Sequence, residues 1–412
     1  MTQHPTRRYD RGPLHTALID VTKLPLDTHL SLSSLDLDLW RYPYAPQDPL
    51  RAWDAADELL LEHLLTLPAP TASPLIVNDS FGALGCALQA YQPISWSDSW
   101  LAHEGLQANL GNNSLPPEQV TRLPSTDSPT GKLPWVVIKV PKNLALFEDQ
   151  LLRLRPCLTP DSRVWVTGMI KNMPRSVWQK LERIIGPTQT SLARKKARYI
   201  EVTLDPTLTP ATSPYPTTWH FDPLGLEEGL QQGLDVINHA NVFSREKPDI
   251  GTRLLLQHMP AASGAKDIID LGCGNGIVGM VAALSHPDAN LTFIDESYMA
   301  IASAKANFRQ LPSTQREAHF TLGDGLQGSG TEQADLILCN PPFHAGHAVG
   351  DASAMAMFEA AARVLKADGE LWVVGNRHLD YHVKLKRWFT GVTLAASNNK
   401  FVVLKATSPR LG

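Results

Sequence analysis

Asp267-Ile-Ile-Asp-Leu-Gly-Cys-Gly-Asn-Gly276 decides how this chain is read. Its first five residues are apolar around two acids and stop at a glycine, the pattern of a short buried strand. Gly272, Gly274 and Gly276 then let the backbone turn sharply and approach a bound molecule closely. Ile277 to Leu284 reads as the following helix, whose first N–H groups face the turn. Strand, glycine turn and helix in that order form one unit of an open α/β sheet, which binds ligands at the carboxyl edge of its strands. Leu291 to Ile294 is the next strand, and Asp295 ends it at the spacing of an acid that holds a ribose.

Working outward, strands and helices keep alternating, which predicts a parallel, doubly wound sheet. Before the glycine turn, Leu50 to Leu65 reads as a helix, and Pro74 to Asn78, Trp135 to Val140, Arg163 to Thr167 and Tyr199 to Leu204 read as strands. After it come a strand at Leu336 to Cys339, a helix at Ala352 to Leu365 and a strand at Glu370 to Gly375. Val383 to Phe389 reads as helical and Lys400 to Ala406 as a last strand. Leu30, Leu32, Leu35, Leu37 and Leu39 alternate as edge strands do, with no role assigned to them. Between the two series, Asp205 to Thr218 holds Pro206, Pro210, Pro214 and Pro216, a stiff linker. The expected division is therefore a domain at 1–205, a linker at 206–218 and a domain at 219–412.

A chain of 412 residues exceeds the usual size of one core, in keeping with two domains. With 43% hydrophobic and 19% charged residues it has the composition of an ordinary globular protein. A net charge of −4 leaves nucleic-acid contact to local patches. Cys86, Cys157, Cys273 and Cys339 are widely spaced, predicting buried thiols and neither a disulfide framework nor a metal site. The chain lacks an apolar leader and any long uncharged apolar run, so a cytoplasmic monomer without membrane contact is expected.

The two halves read as copies of one another. Leu158-Thr-Pro-Asp-Ser-Arg-Val-Trp165-Val-Thr-Gly168 parallels Leu365-Lys-Ala-Asp-Gly-Glu-Leu-Trp372-Val-Val-Gly375, an offset of 207 (375 − 168). Ala108-Asn109 parallels Ala306-Asn307, and Gly82-Ala-Leu-Gly85 parallels Gly276-Ile-Val-Gly279. Val140-Pro141-Lys142 falls on Asn340-Pro341-Pro342. Asn78 and Ser80 stand in place of Gly272 and Gly274, Ser97 in place of Asp295, and Val140 in place of Asn340. The first copy keeps a core and loses the chemistry.

That chemistry is read from Ile337-Leu-Cys-Asn-Pro-Pro-Phe-His344. A side-chain amide leaves a buried strand, followed by two prolines that cannot donate and a flat aromatic ring. Asn340 and the Pro341 carbonyl can both accept from an exocyclic amine while Phe343 stacks on its ring. The glycine turn alone also satisfies a dinucleotide fingerprint through Gly274, Gly276 and Gly279, so a nicotinamide oxidoreductase competes. Hydride transfer has no use for the Asn340 loop, whereas methyl transfer to an amine does. S-adenosyl-L-methionine fits each part: Gly272, Gly274 and Gly276 against its methionine and ribose, Asp270 near its ammonium, Asp295 on the ribose hydroxyls and Asp324 on the adenine amine, with Asn340 counted among the cofactor-binding residues as well. For Asp324, a plain turn former is the competing reading.

These motifs resemble the class I S-adenosylmethionine-dependent methyltransferases. More narrowly, Phe243-Ser-Arg245, Asp249-Ile-Gly-Thr252, Asp295-Glu-Ser297, Asn340-Pro-Pro-Phe-His344 and Asn376-Arg-His-Leu-Asp-Tyr381 are similar to the RsmC/RlmG group of rRNA guanine-N2 methyltransferases. Asn398-Asn-Lys-Phe-Val-Val-Leu-Lys405 and, in the first half, Asn78-Asp-Ser-Phe-Gly82 and Lys139-Val-Pro-Lys142 carry the same likeness. The resemblance runs from about Arg51 onward and leaves the first forty or so residues outside; Pro248 departs from it. It implies two tandem Rossmann-like domains, the first degenerate and the second catalytic. It also implies methylation of the N2 amine of a guanosine in large-subunit (23S) rRNA, with Asn340, Pro341 and Phe343 at the base.

RNA contact needs local positive charge. Arg194, Lys195, Lys196 and Arg198 supply it in the first half, and Lys384, Lys386 and Arg387 in the second, a solvated face being the alternative for each. A non-enzymatic RNA-binding module is the competing reading for the whole chain. The Asn-Pro-Pro loop also suits small-subunit guanine, adenine N6 and protein glutamine as acceptors; only the resemblance favours large-subunit guanine.

Overall fold

A computed structural model describes residues 27–45, 50–221, 233–260, 264–311, 318–342 and 348–410. The chain opens on a hairpin of β1 (His29–Leu32) and β2 (Leu35–Asp38), followed by α1 (Ala55–Leu64), β3 (Leu75–Val77), α2 (Ala83–Ala87) and β4 (Ile94–Ser97). Next come α3 (Trp100–Asn112), β5 (Thr121–Pro124), β6 (Trp135–Lys139), α4 (Leu144–Leu154), β7 (Arg163–Met169), α5 (Arg175–Ile184), β8 (Thr188–Thr190) and β9 (Ala197–Val202). A second hairpin, β10 (Thr217–Phe221) and β11 (Leu234–Asn238), starts the series again. It continues through α6 (Ile250–His258), β12 (Asp267–Leu271), α7 (Ile277–Ser285), β13 (Asn290–Asp295) and α8 (Tyr298–Phe308). The chain ends with β14 (Ala318–Leu322), β15 (Ala334–Cys339), α9 (Ala348–Val364), β16 (Leu365–Asn376), α10 (Tyr381–Lys384), β17 (Phe389–Ser397) and β18 (Phe401–Pro409).

Adding nine to each strand number and five to each helix number carries the first half onto the second. The sheets agree: β5-β4-β3-β6-β7-β9-β8 in one, β14-β13-β12-β15-β16-β18-β17 in the other. Each sheet is parallel through its first five strands. At its far edge each turns antiparallel, where β9 and β18 lie between their neighbours. The parallel, doubly wound sheet expected from alternation holds through those five strands and departs only at the far edge, because a strand's sequence does not state its direction. β17 also replaces the end of the helix expected over Val383 to Phe389; its open edge has the weak, half-polar alternation that periodicity reads poorly.

Each sheet packs helices on both faces. In the first half Trp165, Trp135 and Ile76 face α1, α2 and α3, while Val164, Val166 and Ile138 pack with α4 and α5. In the second, Trp372, Ile268 and Leu338 face α6, α7 and α8, and Ile337, Val373 and Leu271 pack with α9. Trp165 and Trp372, paired on sequence, occupy the same layer.

The leucines near the N-terminus form that first hairpin. Asn109 of α3 clamps its exit, its Oδ1 accepting from Trp40 N (2.8 Å) and its Nδ2 donating to Trp40 O (2.8 Å) and Phe81 O (2.7 Å). Asn307 of α8 does the same for the second hairpin, with Ile237 N (2.7 Å), Ile237 O (2.9 Å) and Asn275 O (2.9 Å). The hairpin is therefore part of the repeated unit. No helix or strand occupies residues 203–216, and β10 begins at Thr217, inside the expected linker.

Candidate functional site

Parallel pairing brings the motif residues to one edge. Leu271 pairs with Ile294 on one side and Cys339 on the other, so Gly272 follows its strand beside both Asp295 and Asn340. Asp295 pairs with Leu322, which puts Asp324 in the next turn. Glycine loop, Asp295, Asp324 and Asn340 loop therefore share the carboxyl edge of β12–β15. Pro341 is buried and Pro342 exposed; Phe343 and His344 lie outside the described residues.

The glycines divide by task. Gly276 has φ 80°, and a side chain there would meet Ala304 Cβ at 2.8 Å, so it serves the close crossing of α8. Gly274, with φ 55°, would meet nothing within 4 Å. Its amide donates to Asp295 Oδ2 (2.9 Å), while Asp295 Oδ1 accepts from Ser297 N (2.9 Å). Each oxygen keeps a further lone pair for a hydroxyl. Asp270 is buried and accepts from Gly279 N at 2.8 Å. Enclosure raises the pKa of Asp270 to about 8 and that of Glu296 to about 7, and raises Asp295 and Asp324 as well. None of these four acids pairs with a lysine or arginine among the described residues. Asp270 is buried and the other three half-buried, and enclosed carboxylates without a protein cation suit a ligand that carries its own positive charge. S-adenosylmethionine, with a sulfonium and an ammonium, is such a ligand.

Asn340 is the most constrained residue of the site. Its Nδ2 donates to Thr252 Oγ1 (2.9 Å) and Asp249 Oδ2 (3.3 Å). The Thr252 hydroxyl itself donates to Asp249 Oδ2 (2.8 Å), leaving its oxygen free to accept. Asp249 is the N-cap of α6, accepting from Thr252 N at 2.9 Å. The amide is thus fixed in one orientation, and its Oδ1 is buried with no hydrogen-bond partner among the described residues. An orphaned buried acceptor is costly unless a ligand completes it. The sequence presents Asp249 and Thr252 only as part of a motif; the clamp joins residues 88 and 91 positions apart and leaves no local pattern.

The basic cluster sits apart, on the β8–β9 turn. Arg194 and Ala197 exchange both backbone hydrogen bonds (2.9 and 2.8 Å), with Lys195 (φ 48°) and Lys196 (φ 62°) between them. Turns of this kind favour Asn-Gly, so two lysines store strain there. Lys195 pairs with Glu58 at 2.8 Å and Arg194 with Glu62, which trims the free charge. Lys196 is exposed and pairs with no acid among the described residues, while Arg198 is half-buried.

No helix among the described residues is long and apolar enough to cross a membrane, and no group of three metal-ligating side chains is found among them.

Comparison with known proteins agrees with this geometry. The family RLMG N-terminal domain matches residues 27–206 and the methyltransferase small domain matches residues 233–405. The first match starts at residue 27, so the likeness begins earlier than the expected Arg51, and only residues 1–26 of the first forty lie outside it. A ribosomal RNA large subunit methyltransferase G of Stutzerimonas stutzeri is 49% identical across 90% of this chain and 96% of its own length. Its namesake in Streptomyces griseus is 46% identical across the same shares. Among solved structures, a T. thermophilus 16S rRNA N2 G1207 methyltransferase (RsmC), in complex with AdoMet and guanosine, has a TM-score of 0.71 at 18% identity. It covers 92% of this chain and 97% of its own, and shares the two-domain fold. With both domains matched and close to half of its residues shared over nearly its whole length, this chain belongs to the ribosomal RNA large subunit methyltransferase G family.

Proposed function

We propose that this protein methylates the exocyclic N2 amine of a specific guanosine in large-subunit rRNA, using S-adenosylmethionine in its second half. The orphaned Oδ1 of Asn340 carries the reading: a fixed, buried acceptor at a cofactor-binding edge calls for an N–H donor from the substrate. When bound, the cofactor supplies an electrophilic methyl group on sulfur. Everything else falls to the chain.

A ring-bound amine is a poor nucleophile because its lone pair is delocalised. Asn340 Oδ1, with the Pro341 carbonyl as second acceptor, would hold its hydrogens and turn the lone pair toward the methyl. A strong base is unnecessary, since the nitrogen becomes acidic as it is alkylated and gives its proton to solvent. Orientation is then the main catalytic effect, and such positioning contributes up to about 7–11 kcal/mol. Phe343 is proposed to replace the stacking the base loses on leaving its helix. Gly272, Gly274 and Gly276 leave room for the cofactor, Asp295 holds its ribose, Asp270 faces its ammonium and Asp324 its adenine.

The first half is proposed to hold RNA through Arg194, Lys195, Lys196 and Arg198. Non-glycine residues kept at positive φ cluster at functional sites, and the strained Lys195–Lys196 turn supports that role. The test is mass mapping of rRNA nucleosides from cells with and without the protein. Loss of one N2-methylguanosine from large-subunit rRNA is the expected result. Loss of N6-methyladenosine, or of a small-subunit site, would overturn the acceptor assignment.

A further inference from the structure

The two halves meet at equivalent loops. Ser99 caps α3 by accepting from Ala102 N (3.1 Å), and Ser297 caps α8 by accepting from Ala300 N (3.0 Å). Across the junction, Ser99 Oγ donates to Glu296 Oε2 (2.5 Å) and Ser297 Oγ to Asp98 Oδ2 (2.6 Å). Trp100 N donates to Glu296 O (2.9 Å) and Tyr298 N to Asp98 O (3.0 Å). Asp98 Oδ1 also accepts from Met299 N (2.9 Å), so an acid of one half caps a helix of the other. The contact is self-complementary, as in a two-fold dimer, but within one chain.

This junction touches the cofactor edge directly. Glu296 follows Asp295, and the Ser297 amide that joins Asp295 belongs to the residue bridged to Ser99. The β14–β15 connection carries no helix over residues 323–333, so the sheet face at Ile269, Thr292, Ile294 and Thr321 stays open. A cavity of about 700 Å³ occupies that face; it reaches Leu322 to Gly325, and the first half adds Tyr42 and Trp100 to its lining. Of the residues assigned to the cofactor, only Asp324 lines it, at the adenine end.

We infer that the degenerate half completes the cofactor site: Trp100 forms a wall against the adenine, and Asp98 and Ser99 position the Asp295–Ser297 loop. The inference rests on the S-adenosylmethionine reading of that edge. The indole offers a flat apolar surface to a purine, in the same cavity as the Asp324 carboxylate that would accept from its amine. The helix that would otherwise close this face is missing, and the first half stands in its place. A catalytic half would therefore retain its degenerate partner for cofactor affinity as well as for RNA.

The experiment is calorimetric titration of the full-length protein and its Trp100→Ala and Trp100→Phe variants with S-adenosylhomocysteine and with methylthioadenosine. Losing one base-stacking ring is expected to weaken both ligands about tenfold in Trp100→Ala. Trp100→Phe should recover most of that loss. Ser99→Ala, which leaves the ring in place, should weaken both ligands less than Trp100→Ala. Unchanged affinity in a folded Trp100→Ala variant would overturn the inference, as would a loss confined to S-adenosylhomocysteine, which carries the amino-acid tail. Should Trp100→Ala fail to fold, wild-type affinity in both Trp100→Phe and Ser99→Ala would overturn it instead. A wild-type protein that binds neither ligand would sink the cofactor reading itself.

Discussion

The two halves share a fold strand for strand and differ at one edge. In the second half Gly272 turns at φ 72°; in the first, Asn78 holds the same left-handed turn at φ 63°. Asparagine is among the few residues that tolerate this. Its side chain then fills the space a ligand would need, donating to Lys139 O (3.1 Å) and exchanging hydrogen bonds with Gln150 (2.9 and 2.8 Å). Gly82, by contrast, survives beside Gly276, because a side chain there would come within 2.6 Å of Leu106 Cα. The glycine that packing needs was kept and those that a ligand needs were lost. Electrostatics follow the same rule. Lys139 pairs with the first half's buried Asp57 at 2.7 Å and its charge also reaches Asp79, the acid that caps there as Asp270 does, whereas no lysine or arginine among the described residues pairs with Asp270. The first half supplies its own cation and plugs its own turn; the second leaves both to be supplied.

The largest effect that could break this contrast is Asn340→Ala. Loss of a positioned group of this kind typically lowers turnover about 10²–10³-fold. Single-turnover methyl transfer to unmodified large-subunit rRNA is the measurement, with S-adenosylhomocysteine affinity expected to stay nearly constant. A near-normal rate would reduce Asn340 to the end of a strand. Next, Asp295→Ala is expected to weaken cofactor binding about 10²-fold, as two hydrogen bonds to a charged acceptor are lost. Its mirror, Ser97→Asp, should leave calorimetric stoichiometry at one cofactor per chain; a second equivalent would show that the first half is closer to function than its plugged turn implies.

A smaller change tests the clamp. Thr252→Val should lower turnover about tenfold, by freeing the Asn340 amide to rotate, with little change in KM, and Thr252→Ser should restore it. Equal losses in the valine and serine variants would assign Thr252 to packing alone. The pH dependence of the free protein comes next. Native Asp270 keeps its proton to about pH 8, whereas the unfolded carboxyl loses it near its ordinary value of 3.8. Between those values the native state binds more protons, so stability falls as pH rises through that window. The unfolding temperature should therefore fall from about pH 4 to about pH 8 and level off above it, and Asp270→Asn should flatten the slope. An unchanged slope would place the titration elsewhere. Smallest is Lys196→Glu: the salt dependence of RNA binding should lose about one phosphate contact, with cofactor affinity intact. An unaltered slope would make the turn a solvated surface.

Much of this was present in the order of residues. Strand, glycine turn and helix are short-range, periodic features, so Asp267 to Leu284 declared the fold, and Asn340-Pro-Pro marked the loop that the sheet places beside the glycine turn. The duplication was readable because both copies still pack the same layers, as Trp165 and Trp372 do. The antiparallel far edge and the way the N-terminal leucines pair with each other were not, because pairing partners lie far apart and short alternating leucines fit several arrangements. The same holds for the bonds that set the chemistry. Asp79 caps Gly85 (2.9 Å) as Asp270 caps Gly279 (2.8 Å), from a different place in its loop that no aligned register matches. Asp249 and Thr252 orient an amide some ninety residues away, and Asp98 caps a helix 201 residues later. Backbone periodicity leaves its mark along the chain, whereas a side chain reaching across the fold to one acceptor is decided only when tertiary packing brings the two together.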